Sequence, residues 1–345
     1  MVARIQMNVS LEEFDAITER VKDAYLPWYR DLERRIEHRP AAFEAPMEVV
    51  ERFDRVELKD TRILTKILFS RQDRVIVLLA DHTYLGGFLL SQFVQLVFCE
   101  KVTKGIFPRN PYYPVVSELM ILAFLARAAV LPGPAATELF PSPAQTRRIY
   151  WKQSRAELEA LANGMKMNVL YVLIANQIHT VMNELRRDRL RVTLPVSFEA
   201  DNSFNTVGAI FLNVKATKDL ESMAKYVRRE VKRGQWQVSA SNHVQRVLPT
   251  RHLSERARRT ADFTLTVVPQ KTLPHNLLKE EVQDYEFTMD NIEYPVYAMS
   301  FMFEDHIHTS MMINTPSFDV EGFCAKSGAK VSDLTLDSSA RARAR

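Results

Sequence analysis

Cysteine is scarce in this chain: two in 345 residues, Cys99 and Cys324, leave no disulfide framework. Neither has a metal-ligand spacing to another cysteine or histidine, and both stand among apolar neighbours, so they read as reduced, buried thiols of a cytoplasmic protein. Long hydrophobic runs are missing as well. A bilayer span needs about 18 or more uncharged apolar residues, and the nearest candidate, residues 119–126, is closed by Glu118 and Arg127. Met1 to Asn8 carries charge and lacks the apolar core of a signal peptide. Charge of one sign is also in short supply. A net charge of +4 suits an anionic small molecule but is too small to argue for nucleic acid. What remains, 46% hydrophobic and 26% charged, is an ordinary globular composition with enough length for one large core or two modest ones.

The most informative stretch runs from Arg74 to Gly87. Its six apolar residues from Val75 to Ala80 have the length and β-branched content of a buried strand. Asp81 and His82 follow at once, then Gly86 and Gly87, and residues 88–98 are apolar enough for a buried helix. A titratable imidazole therefore stands where a rigid strand ends and a glycine turn begins, a place where chemistry is often sited.

His82-Thr-Tyr-Leu-Gly86-Gly87 resembles the His-x-x-x-Asp-Gly signature of the coenzyme-A-dependent acyltransferase superfamily. That group includes chloramphenicol acetyltransferase, peptide-synthetase condensation domains and wax-ester/diacylglycerol synthases. Asn168-Val-Leu170 is similar to a helix start of the wax-ester synthases and condensation domains. Leu194-Pro-Val-Ser197 is similar to their Val-Pro-Val-Ser strand, and Asn205-Thr-Val-Gly208 to the Gly/Asn pair that follows. Residues 263–269 resemble the strand leading to a Ser-Asn-x-Pro-Gly turn, and residues 296–303 and 307–313 resemble the terminal hairpin. Two departures stand out. Gly86 replaces the signature aspartate, chiefly a loop-holding residue in the family, and Asp81 replaces the first of the common paired histidines. The plant-type Asp-Phe-Gly-Trp-Gly motif is absent.

The resemblance implies an α/β fold of two chloramphenicol-acetyltransferase-like lobes, each a mixed sheet flanked by helices, with a channel between them. It implies an acyltransferase with His82 as general base, Asp81, Gly86 and Gly87 shaping the motif loop, and acyl-CoA or an acyl carrier protein as donor to an alcohol or amine. The channel candidates are Asn168, Ser197, Asn205, Gly208, Val268, Phe301 and Phe303. No permanently bound cofactor, no metal and no nucleic acid are expected, and peripheral membrane contact stays open. A catalytically inactive binding or scaffold protein is the alternative, favoured by Gly86.

The chemistry of the residues agrees. Acyl transfer from a thioester needs a base for the acceptor's proton, and imidazole titrates in the right range. The thioester is already activated, so no covalent nucleophile is required. Backbone amides of the Gly86-Gly87 turn or the side chain of Asn205 are candidates for stabilising the oxyanion.

Two further features compete. His306 and His308 would share one strand face, the beginning of a metal site, or they are polar residues of a hairpin turn and its solvent face. Residues 225–233 form a basic run that reads as a solvated helix face rather than a phosphate site.

Organisation follows the punctuation. Ser10-Leu-Glu-Glu13 and Ser154-Arg-Ala-Glu157 are capping boxes that open helices. Pro27 should bend or interrupt the first helix, and Gly234 should close the basic one. Four prolines and a glycine fall within residues 132–143. They argue for a linker at 131–147 between an N-terminal lobe, 1–130, and a C-terminal lobe, 148–330. Residues 331–345 read as a disordered basic tail.

Overall fold

The computed structural model describes residues 2–35, 47–50, 65–80, 117–130, 138–141, 145–197, 207–217, 219–247, 261–268, 282–288, 294–303 and 305–331. Within them the protein is α/β, with two mixed sheets and flanking helices. The five-stranded sheet is built from β1 (Val2–Met7), β2 (Met47–Val50), β3 (Thr65–Ser70), β4 (Val75–Ala80) and β9 (Val282–Thr288), in the order β2-β3-β4-β1-β9. β3 and β4 form an antiparallel hairpin. Ser70 Oγ donates to Asp73 Oδ2 at 2.8 Å, and Arg74 takes a left-handed φ of 54° to complete the turn. β4 lies between β3 and β1 and is buried at every residue, which is why its sequence is a continuous apolar run without alternation.

Helix α1 (Leu11–Arg35) starts at a working capping box: Ser10 N–H donates to Glu13 Oε2 at 2.8 Å, and Glu13 N–H donates to Ser10 Oγ at 3.2 Å. It does not stop at Pro27. Proline removes one bond to the carbonyl of Asp23, but both residues are on the exposed side, where water can serve that carbonyl. Tyr25 and Tyr29, one turn apart, are buried and hold the helix to the body.

The seven-stranded sheet has the order β12-β5-β11-β10-β8-β6-β7. Its strands are β5 (Arg147–Ser154), β6 (Arg189–Ser197), β7 (Val207–Lys215), β8 (Phe263–Val268), β10 (Val296–Phe303), β11 (His306–Ile313) and β12 (Lys330–Val331). Its helices are α2 (Glu118–Val130), α3 (Arg155–Gly164), α4 (Val169–Glu184), α5 (Leu220–Val247) and α6 (Val320–Ser327). One face carries Ile149, Trp151, Val192, Leu265, Ala298 and Met311, which pack with buried residues of α3, α4 and α5 into a single apolar core.

Helix α5 runs well past Gly234. A Cβ there would lie 2.6 Å from Ile210 Cγ2, so the glycine serves close approach to β7 rather than termination. On both sides of that glycine, α5 seals the open edge of the sheet. Ser241 Oγ accepts from Ala209 N–H at 2.9 Å, Gln237 Oε1 accepts from Phe211 N–H at 3.1 Å, and Tyr226 OH donates to Asn213 O at 2.6 Å. A bare edge would invite pairing with another strand.

The two sheets do not follow the two halves of the sequence. β9 comes late in the chain but pairs with β1 and also touches β10 and β11. α2 precedes the proline-rich stretch but packs on α5, with Phe124 against Phe211 at 5.8 Å between ring centroids. The described part of 131–147 is anchored at Asn314: Phe140 N–H donates to its carbonyl at 3.1 Å, and Thr146 Oγ1 donates to its Oδ1 at 3.2 Å. Arg147 already belongs to β5, and Val331, assigned to the tail by composition, belongs to β12.

Candidate functional site

Asp81, His82, Gly86, Gly87 and Asn205 lie outside the described residues. The element that leads to the histidine is β4, which is wholly buried, flanked by paired strands on both sides, and ends at Ala80, two positions before it.

Several channel candidates gather at one end of the larger sheet. β6, β8 and β10 are mutually parallel and finish at Ser197, Val268 and Phe303. β5 finishes there too, at Ser154, and β11 begins there at His306, opposite Phe303. Val268 is the register partner of Phe301, and Ser197 that of Val207, next to Gly208. Carboxyl ends of parallel strands are where α/β proteins commonly bind ligands. Asn168 takes another part: it is exposed and caps α4, its Oδ1 accepting from Leu170 N–H at 2.8 Å. Gly208 is packed against α5, where a Cβ would lie 2.8 Å from the Cα of Val238.

The alternation of β10 and β11 sorts their side chains. Met302, Met311 and Ile307 join the helix-packed core. Tyr297, Met299, Phe301, His308, Ser310 and Met312 point to the opposite face, with Thr264 and Thr266 of β8, Thr193 of β6 and Tyr150 of β5. This second face is largely buried, yet it is rich in polar groups. Its centre is a phenol–imidazole pair, in which the hydroxyl of Tyr150 is hydrogen-bonded to Nδ1 of His308. The His308 ring is stacked on Phe301 at 5.1 Å and 14°. Burial and the stack fix the ring, and the tautomer decides which partner donates.

His308 is therefore not on a solvent face: it is 3% exposed, while His306 is exposed and meets it edge-on at 6.3 Å. The two imidazoles do share a strand face, but among the described residues no group of three His, Cys, Asp or Glu side chains could hold a metal ion. Nearby, Tyr297 OH and Thr266 Oγ1 are 3.1 Å apart, and burial pushes the Tyr297 phenol well above its ordinary pKa. Tyr150, Thr264 and Ser310 escaped the sequence reading. Their signal, polar residues at every second position of a strand, is the same one that an ordinary wet sheet face gives.

The basic run of α5 is solvated. Lys225, Arg229 and Arg233 are each more than half exposed and pair with Glu221 or Glu230. Cys324 is partly buried, and burial raises its thiol pKa. Among the described residues no helix is long and apolar enough to cross a membrane.

No protein-family model matches the sequence, and no curated protein matches it. The fold, by contrast, has clear counterparts. The cyclization-docking bidomain of a nonribosomal peptide synthetase from Sorangium cellulosum superposes with a TM-score of 0.60 at 13% identity, over 95% of this chain and 78% of that one. The starter condensation domain of rhizomide synthetase, a mutant in complex with C8-CoA and Leu-SNAC, gives 0.59 at 13% identity, over 94% and 85%. The epimerization domain from the third module of tyrocidine synthetase B gives 0.55 at 11%, over 95% and 88%. The fold is that of the condensation, cyclization and epimerization domains.

Proposed function

We propose that this protein is an acyltransferase, moving an acyl group from acyl-CoA or an acyl carrier protein to an alcohol or amine, with His82 as general base. The observation that carries this reading is the condensation-domain fold together with the placement of β4, a rigid and fully buried strand that ends just before Asp81 and His82. The imidazole takes the proton of the acceptor's O–H or N–H as that atom bonds to the thioester carbonyl carbon. The tetrahedral intermediate then collapses, the C–S bond breaks, and the thiolate recovers the proton from the imidazolium. Hydrogen-bond donors at the Gly86-Gly87 turn or Asn205 would stabilise the oxyanion.

The C8-CoA and Leu-SNAC complex of the rhizomide neighbour supports a thioester donor and an acceptor entering one site. The proline-rich stretch 131–147 would join the lobe carrying His82 to the one carrying the parallel strand ends, with the channel between them. Reduced cysteines fit a cytoplasmic setting. A second reading, an inactive binding protein, is favoured by Gly86 in place of the signature aspartate.

Free-thiol release from acetyl-, octanoyl- and hexadecanoyl-CoA, with and without alcohols and amines, separates the two. Release that requires an acceptor supports the transferase. Tight acyl-CoA binding without release supports the binding protein.

A further inference from the structure

The seven-stranded sheet has one apolar face under helices and one buried face that is polar, and the second carries unanswered hydroxyls. Ser310, Thr264 and Thr193 are 4%, 2% and 6% exposed. None of their hydroxyl oxygens has a hydrogen-bond partner. They belong to three strands but to one face, since Thr193 is in register with Thr264 and Ser310 with Tyr150. A buried hydroxyl without a partner is destabilising, and such groups are uncommon in folded proteins. Several on one face, beside the Tyr150–His308 pair, describe a surface complementary to something polar.

We propose that this face is the wall of a binding site for a neutral ligand bearing hydroxyl and amide groups, with Ser310 and Thr264 hydrogen-bonding it directly. Hydroxyls both donate and accept, so they match groups of the same kind and give no preference to charge. The stacked Phe301 ring and the Tyr150–His308 pair hold the wall rigid, so little ordering is needed when a ligand binds. The charged members of the face lie at its margins or are paired: Arg148 and Lys152 on β5, with Lys152 exposed, Arg189 exposed at the start of β6, and Arg191 of β6, whose Nε is 3.2 Å from Asp262 Oδ2. The inference deepens the acyltransferase reading by giving the acceptor a chemical class, and rests on it for that step alone.

The test is binding to the full chain without turnover, by saturation-transfer NMR, with N-acetylserinamide, 1-hexanol and N-acetylaspartate as probes. Ser310→Ala and the isosteric Thr264→Val are compared with wild type, with Tm recorded for each. Wild type should bind N-acetylserinamide in preference to the other two. Each substitution should weaken that binding about five- to tenfold, the loss of one neutral hydrogen bond, while Tm stays level or rises because an unsatisfied hydroxyl has gone. Variants that gain Tm and bind as wild type would show the hydroxyls to be defects of the core, and the proposal would fall. It would fall equally if wild type ignores N-acetylserinamide or prefers N-acetylaspartate. Failure of the acyltransferase reading shows up separately, as absent acceptor-dependent thiol release from the wild-type chain with probe binding intact.

Discussion

Gly208 of β7 lies under the backbone of α5 at Val238, so close that an added Cβ would sit 2.6 Å from Val238 Cγ1 and 2.8 Å from its Cα. Backbone cannot swing aside as the end of a long side chain can. Gly208→Ala is therefore expected to destabilise the fold by about 1–3 kcal/mol, read as a lower denaturation midpoint with an unchanged slope. A midpoint equal to wild type would mean that α5 sits further from β7 than described.

The sealed edge of β7 makes a local prediction. Replacing Gln237 with alanine leaves Phe211 N–H without its acceptor. Hydrogen exchange at Phe211 should accelerate by tenfold or more, about the loss of one backbone-protecting bond, with Ala209 less affected because Ser241 still covers it. Uniform acceleration along the whole strand would point instead to global loosening.

Removal of the proposed base is the direct test of chemistry. His82→Ala should lower acceptor-dependent thiol release by roughly 10²–10⁴-fold and leave the circular dichroism spectrum unchanged. Full activity in a folded variant would remove His82 from the mechanism.

Acyl length should matter too. Phe301 and Met299 share the face near the parallel strand ends and give it apolar surface beside its hydroxyls. Octanoyl-CoA is expected to show a higher kcat/KM than acetyl-CoA, and the reverse order would count against an apolar acyl channel there.

Alkaline pH offers a test of burial. Tyr25, held by Thr65, and Tyr297, beside Thr266, both have phenol pKa values raised by burial. A folded-state pKa above the unfolded value of about 10 means that the folded protein keeps a proton which the unfolded chain gives up. Stability from this source is complete below that pH and declines as pH rises above it. Tm measured from pH 9 to 11.5 should fall, and Tyr25→Phe or Tyr297→Phe should make the fall shallower. An identical slope in both variants would indicate that neither phenol is shielded.

Local signals were sufficient for several elements. Ser10 and Glu13 close their capping box, Val75 to Ala80 is the buried strand that its composition suggests, and residues 296–313 form a hairpin. Each depends on neighbours within a few positions. The same sequence misleads at Gly234, and at Pro27 the helix is not interrupted, because breakers act against a helix only if nothing outside it compensates. Here the buried tyrosines flanking Pro27 and the close passage of Gly234 over Ile210 do.

Tertiary structure alone decided two matters. One is that β9, late in the chain, completes the sheet begun by β1, a pairing over more than 270 residues that no local pattern encodes. The other is the environment of the polar alternation in β5, β8 and β11. Period-two polarity states which residues share a face, since successive side chains point to opposite sides. Whether that face meets water or protein depends on what the rest of the chain lays against it. Only the folded sheet shows Tyr150, Thr264, His308 and Ser310 to be buried together.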